Sequence, residues 1–264
     1  MNLYAIYVIL NPLEKEGFFM EIRENFIDKN GIVYPNIREI AFTRDNLFGN
    51  LGTLVNETKR EANDYFAKKS AMQIDDEGVY IYKSNYNSEN ALKIYKCSLD
   101  PNFNGCRDEI FISKLQSIQP SISMTSFPIG VVTLDGNIIG QEIIYYENFK
   151  QLYEIKNEVS LKDLLLIYRK CLTILSELHK ERIAYIDIHA KNFLINENLD
   201  VKLIDFEQDL VKFDDEHALK NSLQNYYKMI NLLNERINIP IHYSKPETLD
   251  EAHRNLDALV KKLK

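Results

Sequence analysis

The chain has 264 residues, a net charge near −7, 45% apolar residues and 27% charged residues. That length leaves room for one large domain or two small ones with ample core, and the charged and apolar shares are those of an ordinary globular protein. The acidic balance argues against a general nucleic-acid binder, which needs a basic face for the phosphates. No run approaches the roughly 18 apolar residues of a membrane span.

Met1-Asn-Leu-Tyr-Ala-Ile-Tyr-Val-Ile-Leu10 lacks a basic leading segment and a small-residue cleavage site, so a strand is expected there, not a signal peptide. The cysteines are Cys97, Cys106 and Cys171, an odd number, which makes a reducing cytoplasm the default expectation. Cys97 and Cys106 bracket a turn-like Asp100-Pro-Asn-Phe-Asn-Gly105 that lacks further metal ligands.

Residues 1–70 form an extension whose role the sequence does not identify. Leu3–Leu10, Phe18–Ile22 and a hairpin around Lys29-Asn-Gly31 are expected as strands. Thr53–Lys69 is expected as a helix, with Leu54, Val55, Ala62, Tyr65 and Phe66 on one side. Phe48-Gly-Asn-Leu-Gly52 is taken as a turn.

From Ala71 the chain turns strand-rich. Glu77-Gly-Val-Tyr-Ile-Tyr-Lys83 and Ala91-Leu-Lys-Ile-Tyr-Lys96 flank a polar connection, and Arg107-Asp-Glu-Ile-Phe-Ile-Ser-Lys-Leu115 begins a helix. Phe127–Tyr146 is expected as two antiparallel strands joined at Asp135-Gly136. Leu161–Lys180 has a 3.6-residue apolar period through Leu161, Leu164, Leu165, Tyr168, Cys171, Leu172, Leu175 and Leu178, with Ser160 as its N-cap. Phe193–Ile195 and Val201–Ile204 are expected as a short hairpin. Residues 217–233 are expected as one helix, and Thr248-Leu-Asp-Glu251 is a capping box for a terminal helix. All nine glycines lie at or before Gly140, so later loops must be built from Asn, Asp and ordinary residues.

The chemistry concentrates in Tyr185-Ile-Asp-Ile-His-Ala-Lys-Asn192 and Leu203-Ile-Asp-Phe-Glu207. Asp187 stands five residues before Asn192, and Asp205 ends a short apolar run. Phosphoryl transfer from Mg-ATP needs these groups: a carboxylate to take or orient the acceptor proton, and an amide oxygen and a second carboxylate for the metal.

Helix, loop, hairpin and aspartate in that order resemble the protein-kinase-like superfamily. The resemblance covers roughly Gly78 to Leu233. It implies an α+β, bilobal protein-kinase-like fold: a strand-rich N-lobe at 71–147, a reduced helical C-lobe at 148–264, and an N-terminal extension. It implies ATP and Mg2+ as cofactors, with Mn2+ the alternative ion, and a hydroxyl-bearing protein or small molecule as acceptor. Asp187 would be the base, and Asn192 and Asp205 the metal ligands. Lys93 would hold the phosphates, paired to Glu109, with Asp108 the rival partner and Lys96 the rival lysine. Gly78 alone stands where a glycine-rich loop would lie. Backbone groups from Ile144 through Tyr146 to Glu147 would face an adenine edge.

The departures are specific. Tyr185 and Ile186 replace the His-Arg of protein kinases. His189 in the loop, and Asp-Phe-Glu in place of Asp-Phe-Gly, look more like the aminoglycoside and choline kinase branches. Lys191 is either a neutraliser of the transferred phosphoryl group or a solvated loop lysine. Glu207 either faces the metal or faces solvent. No Ala-Pro-Glu follows, so the peptide-docking helical subdomain is missing or cut down. Two other readings stay open: a pseudokinase scaffold, and an enzyme that transfers the nucleotide.

Overall fold

The computed structural model describes residues 20–28, 30–47, 51–59, 78–95, 109–118, 123–155, 159–207, 210–241, 243 and 245–262. The expectations on Leu3–Leu10, Phe48, Lys96, Cys97, Cys106 and Asp108 lie outside them. The fold is mixed α+β. Its elements in chain order are β1 (Glu21–Arg23), β2 (Phe26–Ile27), β3 (Val33–Tyr34), β4 (Arg38–Phe42), β5 (Thr53–Lys59), β6 (Gly78–Lys83), β7 (Asn90–Tyr95), α1 (Glu109–Ile118), β8 (Gly130–Leu134) and β9 (Asn137–Ile144). They continue as β10 (Lys150–Gln151), α2 (Leu161–Lys180), β11 (Ile183–Tyr185), β12 (Phe193–Ile195), β13 (Val201–Leu203), β14 (Val211–Phe213), α3 (Glu216–Arg236) and α4 (Leu249–Lys262).

The chain divides into two compact units, one of Met1–Ser117 with Pro128–Tyr146, the other of Ile118–Phe127 with Glu147–Lys264. The first unit holds a seven-stranded sheet in the order β1-β4-β8-β9-β7-β6-β5. Alternating apolar residues, among them Ile40, Phe42, Leu92, Ile94, Val132 and Ile139, bury one of its faces. The β8–β9 turn uses Asp135 (φ +49°) and Gly136 (φ +78°), the left-handed pair that a tight hairpin requires. The hairpin near Asn30-Gly31 also forms, as β2 against β3.

One expectation fails here. Thr53–Lys59 is a strand, antiparallel to β6, and not the start of a helix. Thr53, Val55 and Thr58 are β-branched, and a pairing partner beyond residue 77 satisfies the backbone that a helix would otherwise satisfy locally. The rest of that expected helix lies outside the described residues. Residues 38–42 also join this sheet, through parallel pairing of β4 with β8. A buried carboxylate pins that junction: Glu142 accepts from Arg38 of β4, Asn90 of β7 and Tyr86. Burial of the Tyr86 phenol, and then the Glu142 charge, push that phenol far above the ordinary tyrosine range.

In the second unit α2 is the core helix. Ser160 caps it by accepting from the Asp163 N–H at 3.1 Å. Its buried face runs from Leu164 through Tyr168, Cys171 and Leu175 to Leu178, as the period predicts. The α3 helix packs Leu223, Tyr226, Ile230 and Leu233 inward. Thr248 caps α4, accepting from Glu251 N–H at 3.2 Å, while the Glu251 carboxylate takes the Glu247 N–H at 2.7 Å. Residues 123–127, which lie in sequence between α1 and β8, run alongside β13: Ser126 N–H donates to Leu203 O at 2.9 Å, and Leu203 N–H to Met124 O at 3.1 Å.

His179, near the end of α2, gives this unit a pH dependence. Ser222 donates its hydroxyl to Leu219 O at 2.8 Å, so it accepts from His179 Nε2–H at 2.7 Å. Burial pushes the imidazole down to about 4. The unfolded chain therefore binds this proton first as pH falls, and stability drops between pH 6.5 and 4. The expected loss is about 2–3 kcal/mol. His179→Gln should remove most of that difference when denaturant unfolding is compared at pH 7 and pH 4.5.

Candidate functional site

The loop after β11 is fixed at both ends before any side chain of interest appears. β11 pairs antiparallel with β14. Beyond it, Ile186 N–H donates to Leu210 O at 2.9 Å, and Ile186 O accepts from Asn225 Nδ2 of α3 at 2.8 Å. On the other side, β12 and β13 pair with Phe193 opposite Leu203. That register sets Asn192 across from Ile204, whose N–H donates to Asn192 O at 3.0 Å. The hairpin mouth thus carries Asn192 on one strand and, one residue past Ile204, Asp205 on the other. Its far end closes through Asn196 and Asp200, with Asp200 N–H on Asn196 Oδ1 at 2.8 Å and Leu199 at φ +61°.

Tyr185 is the hub that sequence reasoning registered only as a departure. Its side chain is fully buried, its ring 5.1 Å from that of Phe206, which in turn meets Phe127 edge-on at 4.5 Å. Its hydroxyl donates toward Ile204 O (3.2 Å) and Asp205 O (3.3 Å) and accepts from Asn192 Nδ2 at 2.7 Å. Burial, then the charges of Asp205 and Asp187, hold its pKa well above the ordinary value, so it stays a donor. The signal available in the sequence was a tyrosine closing an apolar strand directly before polar loop residues. Without the hydroxyl, the buried amide of Asn192 would lose an acceptor.

Asn192 Nδ2 also donates to Asp187 O at 3.1 Å and to Asp187 Oδ2 at 3.0 Å. Three acceptors around one atom identify it as the nitrogen. The amide oxygen therefore points away from Asp187, and among the described residues no group donates to it. His189 completes the frame. Its Nδ1 accepts from Lys191 N–H at 3.2 Å, which leaves the proton on Nε2, 3.2 Å from Asp187 Oδ2. The Asp187 carboxylate is thus oriented by two donors and stays 38% exposed.

Asp205 adopts φ +70°, an uncommon conformation for a residue other than glycine and one that clusters at functional sites. It turns the chain out of the β13 line directly after the hairpin. Glu207 is buried, which removes the solvent-facing alternative for it. By type, an amide oxygen such as that of Asn192 and a carboxylate such as that of Asp205 suit a hard cation that keeps phosphate and water as its other ligands. Among the described residues no group of three or more His, Cys, Asp or Glu is placed to hold a metal on its own.

Lys191 is exposed, its Nζ 5.5 Å from the centre of the Tyr153 ring. In the first unit, Lys93 sits in the middle of β7 between Ile81 and Gln141, buried at 4%, with its Nζ 5.9 Å from the Tyr95 ring centre. Glu109 is the first residue of α1, and its side chain is outside the described set. Gly78 opens β6 opposite Lys59, and Ile144 closes β9 opposite Asn90. Just beyond, Tyr145 N–H is committed to Glu89 O at 2.7 Å, and Tyr146 is the last residue of this unit. The site residues therefore fall in two groups: Asp187, His189, Lys191, Asn192 and Asp205 in one unit, Lys93, Glu109, Gly78, Ile144 and Tyr146 in the other.

A cavity of about 520 Å³ lies behind the loop, bounded by Ile186, Lys212, His217, Asn221, Asn225 and Lys228 among others. Asp187 is not part of its wall. Among the described residues no helix is long and apolar enough to cross a membrane. No known family model matches the chain, and no characterised protein matches it in sequence.

Proposed function

We propose that the chain is an ATP- and Mg2+-dependent phosphotransferase of bilobal, protein-kinase-like build, working in the cytoplasm on a hydroxyl of a protein or a small molecule. One observation carries the reading: Asn192 fastens Asp187 with its nitrogen, which leaves its oxygen turned from that carboxylate, and the hairpin register sets Asn192 across from Ile204, directly before Asp205. That is the division of labour a phosphoryl-transfer loop needs.

In this reading the acceptor oxygen attacks the γ-phosphorus of ATP, the bond from that phosphorus to the β-bridging oxygen breaks, and ADP leaves. Asp187 orients the acceptor hydroxyl and takes its proton. Asn192 Oδ1 and the Asp205 carboxylate would hold Mg2+ (or Mn2+), which when bound neutralises phosphate charge. Lys93 would neutralise the α- and β-phosphates, with Glu109 as its carboxylate partner. Gly78 would lie beside the phosphates, and the backbone at Ile144 and Tyr146 would meet the adenine. The order of parts supports this: lysine strand, helix, hairpin, core helix, loop, aspartate.

The test is thermal unfolding of wild type and Asp205→Ala with ATP, in Mg2+ and in chelator. Ligand at a hundred times its Kd should stabilise the native state by about 2.7 kcal/mol. Wild type should gain this only with Mg2+, and the variant should gain little. No shift at millimolar ATP with Mg2+ would sink the reading in favour of a scaffold. Transfer of label from α- rather than γ-labelled ATP would replace it with nucleotide transfer.

A further inference from the structure

Tyr153 lies in the helical turn Leu152–Glu154, which β10 leads into, and β10 is held by pairing with β12. Its N–H donates to Ala190 O at 2.9 Å, so the turn is fastened to the loop between His189 and Lys191. Its ring is 44% exposed. Two cations approach that ring. Lys191 Nζ is 5.5 Å from its centre, and Arg236 Cζ, at the last residue of α3, is 3.8 Å away.

Among the described residues neither cation has a carboxylate partner. Glu154, the residue after Tyr153, is turned to the Gln151 N–H at 3.4 Å. Arg182 of this unit is by contrast paired with Glu216 and Asp214, and Lys180 with Glu177. Two like charges gathered on one ring without neutralisation repel each other, and a bound anion relieves that repulsion. The one ring contacts both cations, which limits how far they spread. The platform is also wired to the base: Lys191 N–H bonds His189 Nδ1, and His189 Nε2 bonds Asp187.

We propose that Lys191 and Arg236, gathered on the Tyr153 ring, form the anion-recognition half of the acceptor site. The acceptor then carries a phosphate or carboxylate beside the hydroxyl to be modified. The inference rests on the phosphotransferase reading for the word acceptor, but the anion site itself does not. It excludes polycationic acceptors of the aminoglycoside kind, which the two charges would repel. Arg236 supplies a planar fork for two oxygens of one anion, and Lys191 a single strong charge.

The experiment measures binding without catalysis, on the full chain, with and without Mg-ADP. Fluorescent peptides with a central serine flanked by glutamates, alanines or lysines are titrated by anisotropy. The glutamate peptide should bind at least about tenfold more tightly than the other two, and its affinity should fall with added salt. Arg236→Gln and Lys191→Gln should each weaken it about tenfold, and the double change Lys191→Glu with Arg236→Glu should reverse the preference toward the lysine peptide. Thermal melting of each variant checks that it is folded. Displacement of the glutamate peptide by glycerol phosphate identifies a compact anion as sufficient; failure to displace it assigns an extended acidic segment. Equal affinity for the three peptides, or a preference unmoved in the folded variants, overturns the proposal. Selective binding in a protein that shows no response to ATP would leave the anion site standing and remove the phosphotransferase.

Discussion

Asp187→Asn should lower release of the γ-phosphoryl group by about 10²–10⁴-fold while leaving Mg-ATP stabilisation at the wild-type level. The readout is phosphate release from γ-labelled ATP with water as the default acceptor, beside the thermal shift. The change is nearly isosteric. Asp187 Oδ2 accepts from His189 Nε2 and Asn192 Nδ2, and the amide oxygen of an asparagine can take the same position and the same two donors. What disappears is the charge and the capacity to take a proton. The fold should therefore persist, and the loss should appear in rate and not in nucleotide affinity. A variant that keeps more than about a tenth of the wild-type rate would show that Asp187 neither takes nor orients the proton. A variant that also loses the Mg-ATP shift would move Asp187 into the metal site.

The contrast with Asp205 is what makes the pair informative. Asp187 is bracketed by donors, as a group oriented toward an acceptor should be. Asp205 takes an uncommon backbone angle at the end of a strand, and the proposed role in holding the cation predicts a different outcome there. The same exchange of charge for amide should leave ATP response intact at one position and remove it at the other.

What the sequence showed of this arrangement was whatever repeats locally. The core helix α2 is legible because twenty residues sample its period several times. The β8–β9 turn is legible because Asp135-Gly136 has few conformations open to it. The spacing of Asp187, Asn192 and Asp205 survives because a loop and a short hairpin set it within a few residues. The failures are non-local. Thr53–Lys59 carries an ambiguous short apolar pattern, and its partner strand begins at Gly78. The parallel pairing of residues 38–42 with 130–134 leaves no mark in either segment beyond alternation. Tyr185 looked like a missing histidine until its hydroxyl was seen to bridge Asn192 and the backbone at Ile204. The convergence of Tyr153, Lys191 and Arg236 has no sequence pattern at all, since three separate elements deliver one residue each.

Gly140→Ala should destabilise the first unit by about 3 kcal/mol, at the upper end of what overpacking costs. Gly140 lies on β9 opposite Ile94 of β7 and Val132 of β8, beside the β8–β9 register shift. A Cβ there would stand 2.2 Å from Lys93 O and 3.1 Å from Ile94 Cα. Both obstacles are backbone, so no rotamer change relieves them, and β7 must move away from β9. Gly136→Ala is the control: its φ is +78°, yet nothing lies within 4 Å of the added methyl. It should cost only the left-handed penalty, about 1 kcal/mol. Urea unfolding of the two variants separates steric exclusion from backbone preference. The β7 displacement carries Lys93 with it, so Gly140→Ala should also weaken Mg-ATP stabilisation, measured below its own unfolding transition, while Gly136→Ala should not. Equal urea midpoints for the two variants would mean that β7 and β9 can part at little cost, and that strand rigidity is not what positions Lys93.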